Sequence, residues 1–140
     1  MAKDKHQQRA AINYVVFFRV NNGNRSWLLN NQFHSIADVP ALEWYGILRG
    51  EWIIVREWYK HNKRHRDGDL PAAEYGDGSC KWFKHGKQHR ECDQPATKTA
   101  DGRQEWWRHG RRHRNGGKPA IEMSNGEVEY FVNGTSCDCA

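Results

Sequence analysis

The chain has 140 residues, 37% of them hydrophobic, with 22 Lys and Arg against 17 Asp and Glu, a formal charge of +5. That length suits one domain, and a mean hydropathy of -1.02 leaves little material for a deep core. Seven Trp, five Tyr and five Phe nevertheless exclude a disordered basic chain, which would be poor in aromatics. The modest positive excess favours acidic partners without marking a dedicated nucleic-acid binder.

The first residues, MAKDKHQQRAA, carry no apolar core of a secretory signal, and no apolar run reaches membrane-spanning length. The expectation is a polar tail over 1-11, a single domain over 12-140, and a location inside a host cell or in a virion. Cys80, Cys92, Cys137 and Cys139 do not recur in a common register and read as reduced thiols.

From Trp27 onward the chain repeats itself. WLLNNQFHSIADVPA begins at Trp27, WYKHNKRHRDGDLPA at Trp58, WFKHGKQHRECDQPA at Trp82 and WWRHGRRHRNGGKPA at Trp106, with a truncated YFVNGTSC at Tyr130. The three middle copies start 24 residues apart. Fixed-period similarity marks a repeat architecture in which each copy buries its apolar face only against its neighbours.

Each copy carries two turn signals. Asn30-Asn31, His61-Asn62, His85-Gly86, His109-Gly110 and Asn133-Gly134 follow the leading aromatic by three residues, in residue types suited to a two-residue primed turn. Asn22-Gly23, Asp77-Gly78, Asp101-Gly102 and Asn125-Gly126 precede it. Between them lie a short strand such as 79–84 and a longer extended stretch such as 88–99. The fold class is therefore all-β: tandem β-hairpin repeats in a single elongated, twisted antiparallel meander of about five units.

Pro40, Pro71, Pro95 and Pro119 share one repeat position and each precedes Ala, which predicts a bulge or bend in the longer stretch with close packing beside the Ala. Between Trp27 and Trp58 an apolar insertion, ALEWYGILRGEWIIVREW, caps the sheet or thickens its core. Alternation along the short strand places Trp27, Trp58, Trp82, Trp106 and Tyr130 on one face, and Leu28, Tyr59, Phe83, Trp107 and Phe131 on the other. A single sheet with aromatics on both faces leaves apolar surface for a partner or a second copy of the chain.

The pairs His61/His65, His85/His89 and His109/His113 have zinc-like HxxxH spacing, but only a helix would bring both rings to one face. Asn replaces the first His in the outer copies, so it reads as a turn residue; the second reads as a bridge to a neighbouring copy's backbone or carboxylate. Cys137 and Cys139 lack further ligands nearby, and no metal or cofactor is expected. No unrepeated nucleophile, base or carboxylate pair stands out, so no catalytic residue is assigned.

Candidate binding residues cluster about the first turn of the middle copies: Lys60, Arg64 and Arg66, then Lys84, Lys87 and Arg90, then Arg108, Arg111, Arg112 and Arg114, interleaved with Tyr59, Phe83 and Trp107. Stacked hairpins bring these cations into a stripe along one sheet edge. Such a stripe fits an acidic protein groove, a nucleic-acid backbone or anionic lipid, and it also blocks edge pairing. The last copy carries Val132 and Thr135 instead, with Glu122, Glu127, Glu129 and Asp138 nearby, a chemical asymmetry that suits head-to-tail contact between copies in a homo-oligomer.

An aromatic, a His/Asn-Gly turn, a Lys or Arg, a His four residues on and a second Asp/Asn-Gly turn together resemble the membrane occupation and recognition nexus (MORN) repeat. Through HRDGDLPA, HRECDQPA and HRNGGKPA the chain is more similar to a variant of that repeat common in bacteriophage and giant-virus proteins. The resemblance covers residues 12-140 and implies a non-enzymatic scaffold for protein contacts, proposed in some relatives to touch phospholipid. It makes a virion component or a small inhibitor of a host complex the expected role.

Overall fold

Residues 16–21, 23–48 and 50–137 are described by a computed structural model; the 1-11 tail, Asn22, Asp138 and Cys139 lie outside them. Among the described residues every regular element is a β-strand. No helix among them is long and apolar enough to cross a membrane. An 11-stranded antiparallel sheet meanders in chain order from Val16–Asn21 and Asn24–Leu29 through the long pair Leu42–Leu48 and Glu51–Glu57. It continues through Ala73–Tyr75, Cys80–Lys81, Thr97–Lys98, Gln104–Glu105 and Ile121–Glu122 to Val128–Glu129, and the eleventh strand, Gln32–Phe33, pairs with Asn24–Leu29 off this path.

The expectation of a single sheet holds only in part. Four two-stranded hairpins stand outside it: Tyr59–Lys60 with Lys63–Arg64, Phe83–Lys84 with Lys87–Gln88, Trp107–Arg108 with Arg111–Arg112, and Phe131–Val132 with Thr135–Ser136. In the three middle copies a Trp links the two ladders, as Trp27 does in the first copy, where Gln32–Phe33 stays within the large sheet. The Trp82 N–H donates to Ala96 O at 2.9 Å in the large sheet, while its C=O accepts from His89 N at 3.2 Å in the small hairpin. Trp58 and Trp106 do the same with Ala72 and His65, and with Ala120 and His113. A residue whose two backbone groups serve different ladders is a pivot, so each strand is shared end to end between the sheet and a projecting hairpin.

At the hairpin tips His61 and Asn62 have φ of 50° and 60°, and His85 and Gly86 51° and 83°, as a primed two-residue turn requires. The longer stretch is not extended: a third turn interrupts it. Ala37-Asp38, Gly68-Asp69, Cys92-Asp93 and Gly116-Gly117 all have positive φ, and Gln94 N donates to Glu91 O at 3.2 Å. The chain then re-enters the sheet at Pro-Ala. Ala41, Ala72, Ala96 and Ala120 are fully buried. Ala96 explains why a small residue stands there: its N–H donates to Glu105 O at 2.8 Å while its C=O takes the Trp82 N–H, so backbone closes on it from both sides.

Register sorts the side chains into two rows. Glu57, Ala73, Lys81, Thr97, Glu105, Ile121 and Glu129 are successive cross-strand partners. Arg25, Glu43, Arg56, Glu74, Cys80, Lys98, Gln104 and Glu122 form the alternate row, which begins with alternating charge. Trp58, Trp82 and Trp106 are buried. The apolar insertion contributes Val55 to the core, but its outer half reaches beyond the neighbouring strands, whose pairing stops at Glu43 on one side and at Val55 on the other. Tyr45, Ile47 and Trp52 share one face of this arm and are exposed, Trp52 by 74%.

Candidate functional site

The cations singled out from the sequence separate into three sets. Arg66, Arg90 and Arg114 form clasps between successive copies. The guanidinium of Arg90 lies 3.9 Å over the Trp82 ring, grips both Asp69 carboxylate oxygens at 2.9 and 3.0 Å, and donates to Pro95 O at 3.3 Å. Arg66 repeats this on Trp58, Asp38 and Pro71, and Arg114 on Trp106, Asp93 and Pro119. The Trp indole completes the clasp: Trp58, Trp82 and Trp106 donate to the carbonyls of Asp38, Asp69 and Asp93 at 2.9, 3.0 and 3.0 Å. Arg66 and Arg90 hold the carboxyls of Asp38 and Asp69 below the ordinary range, and Lys118 with Arg114 does so for Asp93. These three arginines, with side chains 12–13% exposed, join copy to copy rather than meet a partner.

Arg64 and Arg112 occupy the opposite face. Arg64 lies between the rings of Tyr59 and Phe83, at 5.8 and 5.4 Å, and donates to the buried Glu57 carboxylate at 2.8 Å. Arg112 lies between Trp107 and Phe131, at 5.1 and 5.4 Å, beside the buried Glu105. Tyr59, Phe83 and Trp107 are thus half-buried members of an aromatic and guanidinium column, not free stacking platforms. The hydroxyl of Tyr59 donates to Glu57 at 3.1 Å, and the Trp107 indole donates to Glu105 at 3.0 Å.

Lys60, Lys84, Lys87, Arg108 and Arg111 remain at the hairpin tips, together with Lys63, all exposed. Cross-strand register sets them in like-charged pairs: Lys60 opposite Lys63, Lys84 opposite Lys87, Arg108 opposite Arg111. Lys60 has Asp67 at 3.6 Å and Lys84 has Glu91 at 3.2 Å; no ion pair engages the other four among the described residues. The tips stack in order because the Gly86, Gly110 and Gly134 N–H groups donate to Arg64, Gln88 and Arg112 carbonyls at 2.8, 2.8 and 2.9 Å. A Cβ at Gly86 would lie 3.5 Å from Lys63 Cβ, an ordinary van der Waals contact, so it is the φ of 83° that favours glycine there.

The second His of each copy ties the tips together. His65 Nδ1 takes the N–H of His85 at 3.2 Å, and the same bond joins His34 to His61, His89 to His109 and His113 to Asn133. A backbone N–H only donates, so Nδ1 is unprotonated and the ring proton sits on Nε2, facing Asp67 at 2.9 Å in His65 and Asn115 at 2.8 Å in His113. His89 Nε2 lies 2.9 Å from Glu91 Oε1 but off the hydrogen-bond axis. That ring, followed by Lys84, holds the Glu91 carboxyl down at about 2. His65 and His85 stack at 4.5 Å, and His89 and His109 at 4.4 Å. The residue two after the His, Asp67, Glu91 or Asn115, was the overlooked signal: each of the three middle copies places an oxygen there beside Nε2, where the first copy has Ile36.

Between tips and loops run shallow grooves. One, of about 460 Å³, is lined by Trp58, Lys60, His65 and Arg66; the next, of about 400 Å³, by Trp82, Lys84, His89 and Arg90, the same repeat positions one copy on. The described residues hold no cluster of three or more metal-ligating side chains. The site is thus a row of equivalent cationic tips over two equivalent open grooves. No protein-family model matches this chain, nor does any curated protein or solved structure.

Proposed function

We propose that the chain is a MORN-like β-hairpin repeat scaffold of five units, without catalytic activity, that binds an acidic protein partner through its hairpin tips. One observation carries this reading: Lys60, Lys63, Lys84, Lys87, Arg108 and Arg111 stand in three exposed like-charged pairs, whereas the clasp arginines are matched to carboxylates within the fold. Like charges directly opposite in a ladder are destabilising, so an external anion has repulsion to relieve. The partly buried aromatics already carry Arg64 and Arg112, which argues against base stacking and leaves nucleic acid and anionic lipid as electrostatic alternatives. Tyr45, Ile47 and Trp52 on the projecting arm add an apolar aromatic surface of the kind protein interfaces use. The resemblance to phage and giant-virus repeats makes the setting a virion assembly or a host complex, inside the host cell.

The test is cross-linked capture from a cell lysate, with and without nuclease, comparing the native chain with Lys63→Glu/Lys87→Glu/Arg111→Glu. The expected result is a defined set of proteins that survives nuclease and is lost on charge reversal. Capture that disappears with nuclease, or that is the same for both chains, refutes the proposal.

A further inference from the structure

The tip stripe also has a pitch, and we infer that it selects an extended acidic segment with a carboxylate at every third residue, in polyproline II conformation. This rests on the acidic-protein reading above and names the geometry of the partner. Each copy adds two strands to the large sheet, so equivalent tips recur at about 9.6 Å, twice the ~4.8 Å strand spacing. The direct bonds between tips, from Gly86 N to Arg64 O and from Gly110 N to Gln88 O at 2.8 Å, keep the small hairpins in step with the sheet.

A polyproline II segment rises ~3.1 Å per residue with three residues per turn, so every third side chain returns to one face at about 9.3 Å. That is within a few tenths of an ångström of the tip pitch. In a β-strand, side chains three apart point to opposite faces, and those two apart recur at only about 6.8 Å. An α-helix returns every seventh residue at about 10.5 Å, but as a straight cylinder. Duplex DNA places a phosphate every ~3.4 Å along each strand and bends over no such short length. Ordinary strand twist turns the stripe by about 40° per copy, which a flexible single chain follows and a straight rod does not.

The charge distribution fixes the length of the segment. Cation pairs occur at three tips only; the corresponding cross-strand pairs are Leu29 with Gln32 before them and Val132 with Thr135 after them. Three carboxylates, each between the two cations of one tip, span the stripe. Lys63, Lys87 and Arg111, which no carboxylate of the described chain engages, are the residues this occupant would neutralise first.

The experiment titrates two fluorescein-labelled peptides against the full chain at about 50 mM salt, with an oligothymidylate of five phosphates in parallel. The spaced peptide is five tandem Glu-Ser-Pro triplets; its block isomer, equal in composition and charge, gathers the five glutamates ahead of five Ser-Pro pairs. Circular dichroism melts accompany Lys63→Gln/Lys87→Gln/Arg111→Gln, and Lys60→Gln/Lys84→Gln/Arg108→Gln replaces it if it does not fold. Binding of the spaced peptide at least about fivefold tighter than the block isomer, lost in a folded variant, is the expected result. Equal affinities for the two isomers overturn the pitch while leaving an acidic protein partner in place. Tighter binding of the oligonucleotide than of either peptide overturns both, and failure of all three to bind overturns the stripe as a binding site.

Discussion

Replacing Arg90 by Ala separates the clasp arginines from the tip cations most directly. Arg90 loses a bidentate pair to Asp69, a stack 3.9 Å over Trp82 and a 3.3 Å bond to Pro95 O. Asp69 is 60% exposed, so the ion pair contributes only about 0.5–1 kcal/mol after solvent screening. The stack adds about 0.5–1 kcal/mol, and the bond to the carbonyl about 0.5 kcal/mol at its long distance. The loss should be about 2 kcal/mol, or roughly 6–8 °C in midpoint for a chain of this size. Urea unfolding of Arg90→Ala, Asp69→Asn and the double variant isolates the pair, whose coupling should be about 0.5–1 kcal/mol. Arg90→Lys should recover about half the loss, since a point charge restores neither the fork nor the planar stack. Arg108→Ala, at an exposed tip, should stay within about 0.5 kcal/mol of the native chain. Equal losses for Arg90→Ala and Arg108→Ala, or no coupling with Asp69, would refute the division of the cations.

Burial, with His61 and Lys60 nearby, lowers the affinity of His34 for a proton below its ordinary 6.5. The neutral ring is the bonded form, so its contribution is complete above about 6.5 and fades as pH falls through the lowered value; unfolding followed against pH should show this decline, and His34→Asn should flatten it. Glu57 with Arg64 and Glu105 with Arg112 flank a copy that has Lys81 and Gln88 instead. Lys81→Glu alone should cost about 2 kcal/mol as an unmatched half-buried carboxylate, and adding Gln88→Arg should recover at least about 1 kcal/mol in a double-variant cycle; additive losses would contradict the pairing. Cys92 holds a φ of 58° where the other middle copies place Gly68 and Gly116. Cys92→Gly should raise the unfolding free energy by up to about 1 kcal/mol, reduced by the added freedom of the unfolded chain, and a drop in stability would argue against strain there.

Turn chemistry made the hairpins legible in the sequence, because His61-Asn62 and His109-Gly110 combine residue types that accept positive φ at a constant distance from an aromatic. The third turn escaped for the complementary reason. Ala37-Asp38 and Cys92-Asp93 are not turn dipeptides by composition, and only Gly68-Asp69 and Gly116-Gly117 in the same column reveal the conformation. The division into a large sheet and projecting hairpins was also hidden. Trp58, Trp82 and Trp106 each give their two backbone groups to different ladders, and nothing in the side-chain pattern reports that choice. The alternation that put Tyr59 and Phe83 opposite the Trp column was readable, but not that Arg64 fills the space between them, since that contact spans two copies.

The cations crowd one stretch of every middle copy, and their charge alone does not separate clasp from tip. Residue chemistry carried a signal that charge counting did not. The position after the second His is Arg in all three middle copies, Arg66, Arg90 and Arg114, and each preceding copy supplies Asp38, Asp69 or Asp93. A planar fork that must grip a carboxylate, cap a carbonyl and stack on an indole cannot be replaced by an ammonium. At the tips Lys and Arg exchange freely, with Lys60 and Lys84 corresponding to Arg108, and Lys63 and Lys87 to Arg111. Such exchange is tolerated where only charge is used. The same contrast fits the proposed ligand: an anionic group between two exposed cations, selected by the spacing of the tips and not by the shape of any one of them.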